Sequence, residues 1–170
     1  APVRAAGDLR LLELWHGPTC AFKDMALQML PRLVSTARRN LGDDRRAIVL
    51  VATSGDTGKA ALEGFRDVDG TGIAVFYPVD GVSQIQRLQM ATQQGSNVAV
   101  QAVEGNFDDC QTGVKHLFAK EQLAERLGEQ KMYLTSANSI NWGRLLPQIV
   151  YYFSAYADLA ASGEIQVGDK

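Results

Sequence analysis

Cysteine and histidine are scarce in this 170-residue sequence, with two of each. Cys20 and Cys110 cannot build a disulfide framework, and no Cys/His spacing suits zinc, so a stapled scaffold and a metal centre are both excluded. Such sparing cysteine use implies a reducing, cytoplasmic setting. No apolar run approaches the ~20 residues that cross a bilayer, and residues 1–10 lack the basic start and apolar block of a signal peptide. No charge of one sign dominates: 17 Lys and Arg face 19 Asp and Glu, for a formal net charge of −2. The basic residues are scattered, which leaves no electrostatic footprint for nucleic acid. Repeats, low-complexity tracts and linkers are also missing. What remains is 46% hydrophobic and 21% charged, enough apolar material to bury a core within the length of one ordinary domain.

Short apolar runs alternate with longer segments of helical period. Ala47–Thr53, Ile73–Pro78 and Val98–Val103 read as strands, and Met132–Thr135 as a shorter one. The first is continuously apolar and β-branched, as in a strand covered on both faces. Helical spacing is expected over Phe22–Ala37, Thr57–Phe65, Ser83–Gln93, Asp108–Leu127 and Ile140–Ala160, with a kink or break at Pro31 and Pro147. The alternation predicts an α/β fold: a mostly parallel twisted sheet with helices on both faces. Ligands gather beyond the carboxyl ends of such strands. The loop at 53–58, the turn at 77–81 and the segment at 104–107 therefore share one rim.

Gly17-Pro18-Thr19 reads as a turn, with helix from about Ala21, so Lys23 falls in the first turn. The positive end of the helix dipole disfavours a cation there. Burial would lower the lysine pKa further and raise the fraction of neutral amine, the form that condenses with a carbonyl. The plain structural alternative is a solvated lysine paired with Asp24. His16 and Cys20 invite a thiolate–imidazole reading, but no orienting group or oxyanion site accompanies them, and Cys20 reads instead as a small buried residue.

Thr53-Ser54-Gly55-Asp56-Thr57-Gly58 joins the first strand to a helix. Its glycines permit close backbone approach, and the amides of the helix start attract an anion. A nucleotide phosphate loop is rejected, because Thr53 and Ala60 stand where that pattern needs Gly and Ser or Thr. The structural alternative is an N-cap made by Ser54, Asp56 or Thr57. Asp56 is awkward for a plain anion site, since its carboxylate repels a bound carboxylate or phosphate. A phenolic or protonated partner would remove the conflict.

His16-Gly17-Pro18-Thr19 with Ala21-Phe22-Lys23-Asp24, the 53–58 loop, Gly105–Gln111 and Ser136–Arg144 together resemble the bacterial and fungal branch of the threonine synthase family. The likeness runs from about Leu11 to Ala157. It implies the tryptophan-synthase β-like fold of pyridoxal 5'-phosphate (PLP) enzymes, two α/β domains with the cofactor between them. It also implies conversion of O-phospho-L-homoserine and water to L-threonine and phosphate. By this resemblance Lys23 holds PLP as a Schiff base and then shuttles protons at the substrate's Cα and Cβ. Phe22 and Asp56 face the cofactor, Asp56 near its phenolic oxygen. Ser54, Gly55 and Thr57, with Asn138, Asn141 and Arg144 at a later helix start, take the substrate, the arginine suiting a phosphate monoester. The structural alternative for the last group is a capped helix with Arg144 solvated.

The resemblance also implies a glycine-rich loop for the cofactor phosphate and a partner for the pyridine nitrogen, neither of which these residues supply. Gly105-Asn106-Phe107-Asp108 looks similar to that loop but carries Asp at its fourth position and is not assigned to it. Residues 1–170 are thus expected to be an internal portion of a larger enzyme, incomplete at both ends and inactive alone. The smaller lobe would cover roughly 40–150, with flanking pieces of the larger one. A related PLP lyase that dehydrates threonine or serine, and a non-catalytic homologue, remain as alternatives. Oligomeric state is not legible.

Overall fold

The computed structural model describes residues 1–169. A hairpin opens the chain, β1 (Val3–Ala6) against β2 (Leu9–Leu12), turning on Gly7 at φ +62. The main sheet has four parallel strands in the order β5-β4-β3-β6: β3 is Arg46–Ala52, β4 Thr71–Pro78, β5 Val98–Val103 and β6 Met132–Thr135. Its helices are α1 (Asp24–Leu41), α2 (Asp56–Phe65), α3 (Gln84–Ala91), α4 (Phe107–Ala119), α5 (Glu121–Glu129), α6 (Trp142–Gln148) and α7 (Val150–Ala161).

Alternation along the strands sorts the two sheet faces. Val49 and Val51 of β3 and Ile73, Val75 and Tyr77 of β4 join Ala61, Leu62 and Phe65 of α2, Leu27 and Leu30 of α1 and Met90 of α3 in one buried core. The intervening Leu50 and Ala52 face α4 across a cavity of about 570 Å³. Both faces carry helices, as the apolar strand pattern predicts, but the α2 side holds the sealed core.

Of the kink or break expected at Pro31, no break occurs: α1 runs on through the proline. Proline deprives the Leu27 carbonyl of its helical donor. Against that oxygen lies Gly64 of α2, where an added Cβ would stand 1.9 Å from it. The close crossing of α1 and α2 holds the helix across its weak point. At Pro147 the expectation holds: α6 ends at Gln148 and α7 begins after Ile149. The single helix expected over 108–127 is two helices, parted at Lys120 with φ −80 and ψ 101, because α4 packs on β3 and β4 whereas α5 packs on β6. Met25, Met29 and Leu33 of α1 and Trp142, Tyr152 and Phe153 of α6 and α7 leave broad apolar surface exposed. No described helix is long and apolar enough to cross a membrane.

Candidate active site

The turn before α1 is built around the buried carboxylate of Asp24. It accepts from the Thr19 amide at 2.9 Å, from the Ala21 amide at 3.3 Å and from the Thr19 hydroxyl. Gly17 is obligatory at this turn, since a Cβ there would lie 2.3 Å from Asp24 Oδ2. Asp24 is therefore taken, and Lys23 is not its partner. Cys20 sits in this turn at φ +56 and is exposed, which corrects its reading as a buried residue: the wrap around Asp24 turns its side chain outward. His16 contacts Glu13 at 2.7 Å and stacks on Trp15, well apart in role from the thiol.

Lys23 occupies the cap position of α1, immediately before the first helical residue rather than inside the turn. Its side chain is 15% exposed, with Nζ 4.1 Å from the centroid of the Phe22 ring and 3.8 Å from Asp56 Oδ2. Burial pushes its pKa below the ordinary lysine value, the opposing pull of Asp56 notwithstanding, and the positive charges of Arg144 and Lys59 add to the depression. Tyr151 of α7 steadies this corner, donating its hydroxyl to the Phe22 carbonyl at 2.6 Å.

Across from Lys23, the 53–58 loop is organised by Thr53. Its buried hydroxyl accepts from the Gly55 amide at 3.0 Å and the Gly58 amide at 2.9 Å. Gly55 precedes α2 at φ +135, against the Gln86 side chain. None of Ser54, Asp56 and Thr57 caps the helix. Ser54 is exposed and Thr57 half-buried, and within the described residues nothing accepts from the Asp56 and Thr57 amides. Asp56 Oδ1 instead accepts from Gln86 Nε2 at 2.9 Å and lies 3.1 Å from Lys59 Nζ. Burial pushes the Asp56 carboxyl upward, but Gln86, Lys59 and Lys23 outweigh it and hold it below the usual range. The charge conflict foreseen at Asp56 is thus met inside the protein by two lysines and an amide.

The third piece comes from the start of α6. Asn141 caps it, accepting from the Gly143 amide at 2.9 Å and donating to the Ser136 carbonyl at 3.0 Å. Asn138 is exposed, its Oδ1 accepting from the Ile140 amide at 3.2 Å. Arg144 is buried rather than solvated. Its Nη1 donates to the Ala137 carbonyl at 3.1 Å, its Nε is buried without a partner, and burial lowers its pKa. The electrostatic reach of Arg144 and Asp56 onto Lys23 brings the three segments into one site. Asn138 stands somewhat apart, on the 570 Å³ cavity with Ser136 and Leu50. Asn106 caps α4 and accepts from the Asp108 and Asp109 amides at 2.8 and 3.1 Å, so that helix start is already satisfied.

Sequence reasoning missed Thr53, Lys59 and Gln86. Gln86 belongs to a capping box with Ser83, a Ser-x-x-Gln signature legible in advance. Lys59 lies three residues after Asp56, the spacing that puts two side chains on one helix face. Thr53 had no signal beyond its place at the strand end.

No protein-family model matches the chain. A threonine synthase of Pseudomonas aeruginosa is 48% identical over 162 residues, 95% of this chain and 33% of that protein. Human threonine synthase-like 1 is 43% identical over 175 residues, 99% of this chain and 23% of that protein. Among solved structures, PLP-bound threonine synthase from Brucella melitensis superposes with a TM-score of 0.83 at 43% identity, over 94% of this chain and 33% of that one. The chain therefore spans a third or less of the length of these relatives. Because 48% identity extends over 95% of this chain and the backbone superposition over 94% of it, the chain is a homologue of the threonine synthases.

Proposed function

We propose that residues 1–170 carry the cofactor lysine and the substrate loops of a PLP-dependent threonine synthase acting on O-phospho-L-homoserine. The observation that carries this reading is Lys23: a shielded amine of lowered pKa, facing Asp56 and under the influence of a buried arginine. The residues suit the aldehyde end of PLP. Lys23 offers the amine, Phe22 an apolar wall, and Asp56 a carboxylate already balanced by cations. When bound, PLP supplies the electron sink that stabilises a carbanion at the substrate's Cα. Lys23 then holds and returns protons at Cα and Cβ.

Arg144, with a buried Nε lacking a protein partner, is the group we assign to the substrate phosphate. Ser54, Gly55 and Thr57 offer a hydroxyl, a backbone and a second hydroxyl beside the Asp56 and Thr57 amides, which suits a substrate carboxylate. Asn141 acts through the α6 start that it caps, and Asn138 borders it. The β3–β6 unit supports taking residues 40–150 as a smaller lobe, flanked by α1 and α7. Two free cysteines fit a cytoplasmic setting.

The test is borohydride reduction of the intact protein with PLP, followed by mass mapping, and product analysis with O-phosphohomoserine beside free threonine. Pyridoxyl on Lys23, its loss in Lys23→Ala, and threonine with phosphate as products are expected. Pyridoxyl elsewhere rejects the lysine assignment. Turnover of threonine alone makes the protein a dehydratase, and no trapping at all makes it a non-catalytic homologue.

A further inference from the structure

We propose that Lys59 is a positioning residue for Lys23: it anchors the Asp56 carboxylate, which would otherwise swing onto the Lys23 amine, and so leaves that amine free for an aldehyde. The inference rests on the reading of Lys23 as the aldehyde-binding lysine. Lys59 itself is oddly placed for a lysine. Only 8% of its side chain is exposed, and it stands at the fourth position of α2, near the end where the helix dipole opposes a cation. A buried ammonium persists only where it is paired, and its partner is Asp56.

The geometry divides that carboxylate unequally. Oδ1 receives both Lys59 Nζ, at 3.1 Å, and Gln86 Nε2, at 2.9 Å. Oδ2 faces Lys23 Nζ at 3.8 Å, beyond hydrogen-bond length. Asp56 is thus anchored on the Lys59 side and turned to Lys23 only as a distant charge. The charged groups that face Lys23 are Asp56 and Lys59 of α2, Arg144 of α6 and Asp24 beside it on α1. Asp24 is occupied by Thr19 and Ala21, so Asp56 is the one carboxylate among these able to swing onto Lys23. Removing the Lys59 charge leaves Gln86 alone on Oδ1, loosens Asp56 toward Lys23 and abolishes a repulsion, and both changes favour the ammonium form of Lys23. A charge within about 4–6 Å moves a pKa by roughly one unit or more.

The experiment reads Lys23 without cofactor. The intact protein is reductively methylated with formaldehyde and cyanoborohydride from pH 6 to 11, and the rate at each lysine is mapped by mass spectrometry. In Lys59→Met, labelling of Lys23 at pH 7 is expected to fall about tenfold, with its midpoint displaced to higher pH. Lys59→Arg restores the original profile, and adding Lys59→Met to Asp56→Asn has a much smaller effect. An unchanged profile in Lys59→Met, or one displaced to lower pH, overturns the proposal. Should Lys59→Met fail to fold by circular dichroism, the wild-type protein decides. Lys59 is expected to label at least about tenfold more slowly than Lys23 at neutral pH, and equal rates overturn the assignment. PLP trapping reports separately on the role of Lys23, so failure of that reading and failure of this one are distinguishable.

Discussion

Replacing Thr53 by valine keeps the side chain's volume and removes one oxygen, and that oxygen holds the start of α2. Thr53 is 2% exposed, and its hydroxyl accepts from two amides, Gly55 at 3.0 Å and Gly58 at 2.9 Å. Gly55 and Gly58 are themselves buried, which keeps water from substituting freely. Each orphaned buried donor costs about 1–3 kcal/mol, so the pair costs on the order of 2–6 kcal/mol, a large share of a typical domain's roughly 5–15 kcal/mol. In urea, with an m-value of about 1–3 kcal/mol/M, the midpoint should fall by on the order of 1–2 M. Thr53→Ser supplies the control: it keeps the acceptor and loses only the methyl that touches Gly58, for about 1 kcal/mol. Ser54→Ala, at an exposed hydroxyl, should stay within about 0.5 kcal/mol of wild type. A valine variant within about 0.5 kcal/mol of wild type, or a serine variant as damaged as the valine one, refutes the reasoning.

Gly64→Ala should destabilise despite a gain in helix propensity of up to about 1 kcal/mol. The new methyl would stand 1.9 Å from the Leu27 carbonyl oxygen, so a net loss of about 1–3 kcal/mol is expected in chemical unfolding. Lys23→Met should alter the pH dependence of stability. The folded-state pKa of Lys23 is lowered by burial, so the unfolded chain binds more protons between that pKa and 10.5. The wild type should therefore gain stability relative to Lys23→Met as pH rises toward 10.5, as measured by urea midpoints at pH 7 and 10. Tyr151→Phe loses one hydrogen bond to the Phe22 carbonyl and should cost about 0.5–1.5 kcal/mol in the same assay. Arg144→Lys keeps the charge and loses the fork, and should weaken substrate affinity about tenfold or more, as read from KM.

The strands and most helices were legible because their patterns are governed by burial. The run at 47–53 and the β-branched segments at 73–78 and 98–103 fall within two residues of β3, β4 and β5. The N-terminal hairpin was missed although its Gly7-Asp8 pair is a two-residue turn signal, because its strands are mostly exposed and lack apolar alternation. That Pro31 does not break α1 was not legible, because a proline's effect on a helix depends on what meets the freed carbonyl, and Gly64 is 33 residues away in sequence. At the site, the turn before Lys23 and the loop containing Asp56 could be read from residue types alone. The division of labour inside them could not. Whether Thr53 or Ser54 binds the amides, and whether Arg144 is buried, depends on which side chains the sheet and helices turn inward.

The contact between Gly64 and the Leu27 carbonyl acts as a fulcrum for the chemistry at the far ends of both helices. Lys23 lies four residues from Leu27 along α1, and Asp56 eight residues from Gly64 along α2. At ~1.5 Å per residue the two lever arms are about 6 and 12 Å. A tilt of only ~5° between the helices would carry Asp56 about 1 Å, the difference between a distant charge and a clasped ion pair at a 3.8 Å separation. The reactivity of one amine is therefore geared to the angle at which two helices cross, and substitutions at that crossing should retune it without altering any polar side chain.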